Sequence, residues 1–238
     1  MRVLLKVCLV IISTVALALT VGFAWFYFAP WGLPDTKALA QFAPTSSTQV
    51  TDPCLKSTSI AIPYDSIGEN MRAALRVAEF EEDGPGVLDA TFRDFSDTSR
   101  PHEAALSMQI SRTILCTADK PLKHALNEFR VAVQLERHFS RRELFTIFAN
   151  RLYIGENTFG VEAASQHYFH KEPNQLHIEE AALLAGLVKS PSRYSPTVHP
   201  DRALQRRNEV IDLMVQSHSI SDSDAITAKS SPIQIIKD

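Results

Sequence analysis

The chain has no surplus of basic residues: 24 lysines and arginines stand against 27 acidic residues, a formal net charge of −3. Arg2 and Lys6 lie at the extreme N-terminus, so the remainder is more acidic still, which argues against a nucleic-acid partner. No internal repeat and no long low-complexity tract interrupts it. It lacks a Gly-x-Ser-x-Gly elbow and a phosphate-binding loop, which removes the usual signs of a serine hydrolase and a nucleotidase. His167 and His170 stand three apart, but no second ligand pair at zinc spacing accompanies them. Strand signals are scarce. What remains, at 238 residues and 45% hydrophobic, is enough for one anchor and one helical domain with a real core.

Charge is also missing from Val7 to Ala29, a run of 23 positions where about 20 suffice to cross a bilayer as a helix. Trp25, Tyr27 and Trp31 close it, as aromatic rings do at a membrane interface, and Arg2 and Lys6 precede it. The pattern predicts a single-pass anchor in the cytoplasmic membrane, residues 1–6 being a cytoplasmic tip and the rest facing outward. Ala16-Leu17-Ala18 offers the alternative of a cleaved signal peptide, although the apolar run continues well past it. Cys8 falls within the span. Cys54 and Cys116 would face an oxidising compartment, where a bridge between them and two separate thiols are both open.

Residues 30–67 read as a stalk, with Pro30, Pro34, Pro44 and Pro53 and no persistent period. Helical patterning starts at about Gly68 and runs to Phe80, with Met71, Ala74, Leu75 and Ala78 on one face. Further helices are predicted over 104–115, after Pro121, after a Ser140/Glu143 capping box, over 161–169, over 178–189 until Pro191 stops it, and from Pro200 to Leu213. Ser221 caps a last short helix, and residues 229–238 form a tail. The domain, residues 68–228, is expected to be all-α or nearly so.

Several runs carry a resemblance. Phe148-Ala149-Asn150, Gly155, Gly160-Val161-Glu162-Ala163-Ala164, Tyr168-Phe169 and Lys171 follow in order. Glu179 to Leu187, Ser190-Pro191, Tyr194-Ser195-Pro196 and the pair Arg206-Arg207 come next. Together they resemble the family 51 glycosyltransferases, the peptidoglycan transglycosylases. The resemblance implies a lysozyme-like helical fold with a membrane-dipping part near the acceptor cleft. It also implies polymerisation of lipid II: the 4-hydroxyl of an incoming lipid II attacks the nascent glycan strand, and undecaprenyl diphosphate leaves with inversion.

Such a transfer needs a carboxylate to take the acceptor proton and polar or cationic groups for the leaving diphosphate. On the family pattern, Glu79 in Val77-Ala78-Glu79-Phe80 is the counterpart of the base, with Glu82-Asp83 a rival placement. Phe80 stands where the family has Asp. In Glu103 to Thr113, Ser107, Gln109 and Arg112 fall at substrate-binding positions, and arginine is a competent phosphate ligand. Glu128 matches the second family carboxylate, although His124-Ala125 replace an Arg-Lys pair and Thr146 replaces a glutamate. The resemblance thus implies Glu79 and Glu128 as catalytic, and Ser107, Gln109, Arg112, Asn150 and Gly155 as substrate-binding. A divalent cation at the diphosphate belongs to the family's chemistry, though no residue pattern here independently points to one. The partners implied are lipid II, the glycan strand, the membrane and cell-wall synthesis proteins. Two other readings stay open: a non-catalytic member that binds lipid II, glycan or a cell-wall partner, and a lysozyme-like hydrolase with paired carboxyls.

Overall fold

A computed structural model of the chain describes residues 11–22, 33–52, 57–79, 106–114 and 121–236, the side chains of 121–126 excepted. The described part is mostly helical. Besides a helical stretch at residues 11–22, nine α-helices are described: α1 (Glu69–Glu79), α2 (Leu106–Ile114), α3 (Pro121–His138), α4 (Arg141–Arg151), α5 (Val161–Phe169), α6 (Ile178–Val188), α7 (Pro191–Tyr194), α8 (Pro200–Gln216) and α9 (Asp222–Ser230). Two antiparallel hairpins supplement them. Strand β1 (Thr48–Asp52) pairs with β2 (Ser57–Ala61), with Val50 opposite Ser59, and β3 (Tyr153–Gly155) pairs with β4 (Thr158–Phe159).

The centre is α6. Its run from Ala181 to Leu187 is buried on every side, because alanine and leucine offer no polar group that must reach water. Helices α1 and α8 pack against it and against each other. Met71, Ala74 and Leu75 of α1, fully buried, meet Ala203, Val210 and Met214 of α8 in one continuous core. The predicted capping box opens α4: Ser140 Oγ accepts from the Glu143 amide at 3.3 Å, and Glu143 Oε2 accepts from the Ser140 amide at 2.8 Å. Ser221 caps α9 in the same way, accepting from the Asp224 amide.

The stretch expected to be a stalk is instead part of the folded body. A 3₁₀ turn (Thr36–Phe42) and the β1–β2 hairpin occupy it, and Leu39, Phe42, Val50, Ala61, Ile62 and Ile67 enter the core. These apolar residues are too scattered for a period, and long-range contact buries them. The tail is likewise docked. Ile233 and Ile235 pack on the core, the Ile236 amide donates to the Tyr168 carbonyl at 2.9 Å, and Arg207 Nη1 donates to the Ser231 carbonyl at 2.7 Å.

Of the predicted span 7–29, residues 11–22 are described; they are helical and exposed throughout. Among the described residues no helix is long and apolar enough to cross a membrane. Cys8, Cys54 and Cys116, and with them any pairing, lie outside the described residues, as do Phe80 and the rival Glu82-Asp83.

Candidate active site

Glu79 is the last residue of α1, at the end of a helix whose other face is locked against α6 and α8. Its side chain is partly buried, and among the described residues Oε1 is buried without a hydrogen-bond partner. Burial pushes the Glu79 carboxyl up to about 7, because a charged oxygen loses hydration there; Arg206 and Lys189 act in the opposite direction. A carboxyl poised near neutrality exchanges a proton readily at physiological pH.

The end of α1 is fixed by α2. A terminal helix carbonyl lacks an intrahelical donor, and Gln109 Nε2 supplies one, donating to the Glu79 carbonyl at 3.0 Å. Arg112 lies three residues further on, a neighbouring position on the same helix surface, and its Nε donates to Glu128 Oε2 of α3 at 3.4 Å. Glu128 is mostly covered, its side chain 12% exposed, whereas Arg112 is 56% exposed. Within one turn, α2 therefore touches the end of α1 through Gln109 and α3 through Arg112. Ser107 turns elsewhere: its buried hydroxyl donates to Glu136 Oε1 at 2.6 Å. Since Ser107 meets the later glutamate and Arg112 the earlier one, α2 and α3 run antiparallel. The two glutamates are about 12 Å apart along the α3 axis.

Helix α2 thus touches the Glu79 carbonyl through Gln109 and the Glu128 carboxylate through Arg112. Asn150 and Gly155, the other two residues expected to bind substrate, are buried in the scaffold. Asn150 is 1% exposed, and its amide is fully engaged in tying α4 to the N-terminal segment. Nδ2 donates to the Phe42 and Ile62 carbonyls at 2.9 and 2.8 Å, and Oδ1 accepts from the Ile62 amide at 3.0 Å. Gly155 is a packing residue with φ of +102°, a conformation in which a side chain is strained, and a Cβ there would lie 3.1 Å from Pro191 Cβ.

Sequence reasoning missed Arg206 and Lys189 as neighbours of Glu79. The signal for Arg206 was available: it occupies the buried stripe of α8 shared with Ala203, Val210 and Met214, where an apolar residue is the rule. A divalent cation does not fit the acidic groups described. Glu79 is flanked by cationic Arg206 and Lys189, Glu128 is engaged by Arg112, and among the described residues no three metal-ligating side chains converge. His167 is paired with Glu156, at 3.0 Å.

A helical body that presents a half-buried carboxyl near neutrality beside a polar helix is a framework for acid–base transfer on a polar substrate. Residues 49–215 match the model of the transglycosylase family, and the chain belongs to that family. It is 28% identical to penicillin-binding protein 1A of Aquifex aeolicus over 94% of this chain and 33% of the relative. It is 34% identical to penicillin-binding protein 1F of Bacillus subtilis over 62% of this chain and 21% of the relative. A protein of Cupriavidus necator that carries a provisional transglycosylase name is 28% identical over 73% of this chain and 78% of its own length. The chain therefore spans about a third and about a fifth of the two penicillin-binding proteins.

Proposed function

We propose that the chain is a peptidoglycan glycosyltransferase that polymerises lipid II into glycan strands and releases undecaprenyl diphosphate, from a lysozyme-like domain on an outward-facing membrane anchor. The observation that carries this reading is the Glu79 carboxyl: half-buried, without a hydrogen-bond partner at Oε1 among the described residues, pushed up to about 7, and placed at a helix end held by Gln109. A base of that affinity takes a proton from a sugar hydroxyl as the new bond forms, a contribution of about 10²–10⁴-fold. Arg112, exposed and on the next turn of α2, offers its planar guanidinium to the departing diphosphate, and Glu128 holds it in place. Ser107 acts at one remove, by fixing Glu136 on α3.

One observation favours the second reading, a member that binds lipid II, glycan or a cell-wall partner without turning lipid II over. The charge of Arg112 is already opposed by Glu128, which weakens its pull on a diphosphate. Lipid II polymerisation by the detergent-purified full chain, beside Glu79→Gln and Glu128→Gln, separates the two. Polymer from the parent that falls at least 10²-fold in Glu79→Gln supports the enzyme. Tight lipid II binding with no polymer, from folded parent protein, supports the binder.

A further inference from the structure

A cleft of about 660 Å³ opens between the N-terminal segment and the C-terminal end of α3, and none of the residues assigned to the transfer lines it. That volume is ordinary for a small-ligand site. Residues 33–37 form one wall, and Gln134, Arg137 and His138 form the other. The first wall is held by the 3₁₀ turn, which packs on α3 and buries Thr36 and Leu39.

Gln134 sets the cleft apart from an ordinary surface hollow. It is 7% exposed and lines the cleft, yet its side-chain amide makes no hydrogen bond among the described residues. A buried amide without a partner is destabilising, and a ligand in the cleft completes it. His138, one turn further on the same face, has Nδ1 at 2.9 Å from the Thr36 hydroxyl, which leaves Nε2 as the ring's other polar atom. Lys37 and Arg137 bring positive charge to the rim, where both are exposed. Asp35, the acid of this lining, is turned to its own helix, Oδ1 accepting from the Lys37 amide at 3.0 Å. Glu136 is directed elsewhere, to Ser107. Basic residues in a last helical turn offset the helix dipole, and Arg137 and His138 alone would mean no more than that. The dipole does not account for Gln134, which is buried a turn earlier, or for Lys37, which stands on a separate segment. Cations, a buried amide and the apolar side offered by Leu33 and Pro34 together suit a phosphodiester that carries an apolar tail.

The position in the chain says where such a ligand is found. Leu33 lies four residues past Ala29, the end of the predicted span, and Lys37 eight. Fully extended, those lengths reach about 14 and about 28 Å at most, so a span over 7–29 confines the cleft to the bilayer surface. We propose that the cleft is a head-group site for an anionic phospholipid: Lys37 and Arg137 pair with the phosphate, the Gln134 amide donates to one of its oxygens, and Leu33 and Pro34 lie along the glycerol and the first acyl carbons. This rests on the reading of residues 7–29 as a membrane anchor. Occupancy fixes α3, the helix that carries Glu128, at the bilayer surface.

Full-length protein in neutral detergent is titrated with dihexanoyl-phosphatidylglycerol, and binding is followed at the His138 ring resonances, assigned by their loss in His138→Gln. Saturable shifts are expected, with weaker binding of dihexanoyl-phosphatidylcholine and of inorganic phosphate. Gln134→Leu keeps the net charge and both rim cations, and is expected to fold and to weaken phosphatidylglycerol binding about tenfold. Lys37→Gln, at an exposed position, is expected to weaken it about fivefold, and decides the matter if Gln134→Leu does not fold. Unchanged affinity in the folded variant overturns the proposal, because general attraction of charge then accounts for the binding. Inorganic phosphate binding as tightly as the lipid overturns it too, in favour of a free-anion site, as does equal binding of the phosphatidylcholine analogue. The anchor is checked apart from the cleft, by alkaline carbonate extraction of cell membranes. Release of the chain overturns the anchor reading and the membrane setting with it; a retained chain with no His138 shift overturns the head-group site alone.

Discussion

Among the described residues, the acid–arginine neighbourhoods of Asp52 with Arg151 and of Glu79 with Arg206 differ in how they are satisfied. Asp52 and Arg151 are 4% exposed each and closely paired, Nε to Oδ2 at 2.5 Å. Arg151 spends its remaining donors on Thr113, Nη1 reaching the hydroxyl at 2.8 Å and Nη2 the carbonyl at 3.5 Å, and its guanidinium lies 5.3 Å from the centre of the Phe42 ring. Glu79 and Arg206, by contrast, each keep a buried polar atom without a partner among the described residues. The saturated pair joins β1, α4 and the end of α2, and so sets the helix that carries Gln109 and Arg112. The unsatisfied Glu79 oxygen contributes no hydrogen bond to the fold and stays available for proton exchange. Saturation distinguishes a charge that holds the fold from one kept for chemistry.

Breaking the saturated pair gives the largest effect. Asp52→Ala leaves the Arg151 guanidinium buried without its counter-ion and is expected to cost about 3–5 kcal/mol in urea denaturation. Adding Arg151→Met, which removes the stranded charge, recovers much of that loss. If Asp52→Ala costs less than about 1 kcal/mol, the pair is not the clamp described here. Asn150→Ala comes next. It strands the Phe42 and Ile62 carbonyls and the Ile62 amide, and is expected to cost about 2–4 kcal/mol, with loss of the N-terminal segment's protection in hydrogen exchange ahead of global unfolding.

The unsaturated site has the opposite sign. The folded-state affinity of Glu79 for its proton is raised from 4.5 to about 7, so the group adds nothing unfavourable below pH 4.5, where both states are protonated. Between those values the unfolded chain ionises first and stability falls as pH rises. Above about 7 the full cost is present. Glu79→Gln is therefore expected to stabilise the protein by about 2–3 kcal/mol at pH 8, with no effect at pH 4, while polymerisation is lost. Thermal melts of parent and variant at the two pH values measure it; equal melting temperatures at pH 8 would show that Glu79 is not desolvated.

Local signals were legible in the sequence. The capping box at Ser140, the stop at Pro191 and the alanine-rich run of α6 mark elements whose ends the structure reproduces closely, because each is fixed by bonds within a few residues. The family pattern likewise located Glu79, Gln109, Arg112 and Glu128 on α1, α2 and α3. What escaped was non-local. Asn150 reads as a substrate group until Phe42 and Ile62, 108 and 88 residues away, are seen to occupy its amide. Leu39, Phe42 and Val50 look isolated in a proline-rich stretch, since only the assembled core gives them neighbours. Arg206 declared itself by lying in an apolar stripe, but the room it occupies depends on Gly186 of another helix.

The smallest effect sharpens the contrast through its pH dependence. Ser140→Ala removes the N-cap of α4, away from both charged neighbourhoods, and is expected to cost about 1 kcal/mol at neutral pH. The hydrogen bonds from Ser140, first from its hydroxyl and then from its amide, hold the Glu143 carboxyl below its ordinary value. That stabilisation is present above pH 4.5 and disappears as pH falls through the lowered folded value. The cost of Ser140→Ala should therefore shrink on acidification, and the gain from Glu79→Gln should shrink with it, although one variant destabilises and the other stabilises. Both carboxylates act only when ionised, one through bonds it has made and the other through bonds it lacks. Polymerisation should be unchanged in Ser140→Ala at temperatures where it stays folded. A cap variant that instead lost activity without unfolding would show that α4 communicates with the site, and that saturation alone does not separate scaffold from chemistry.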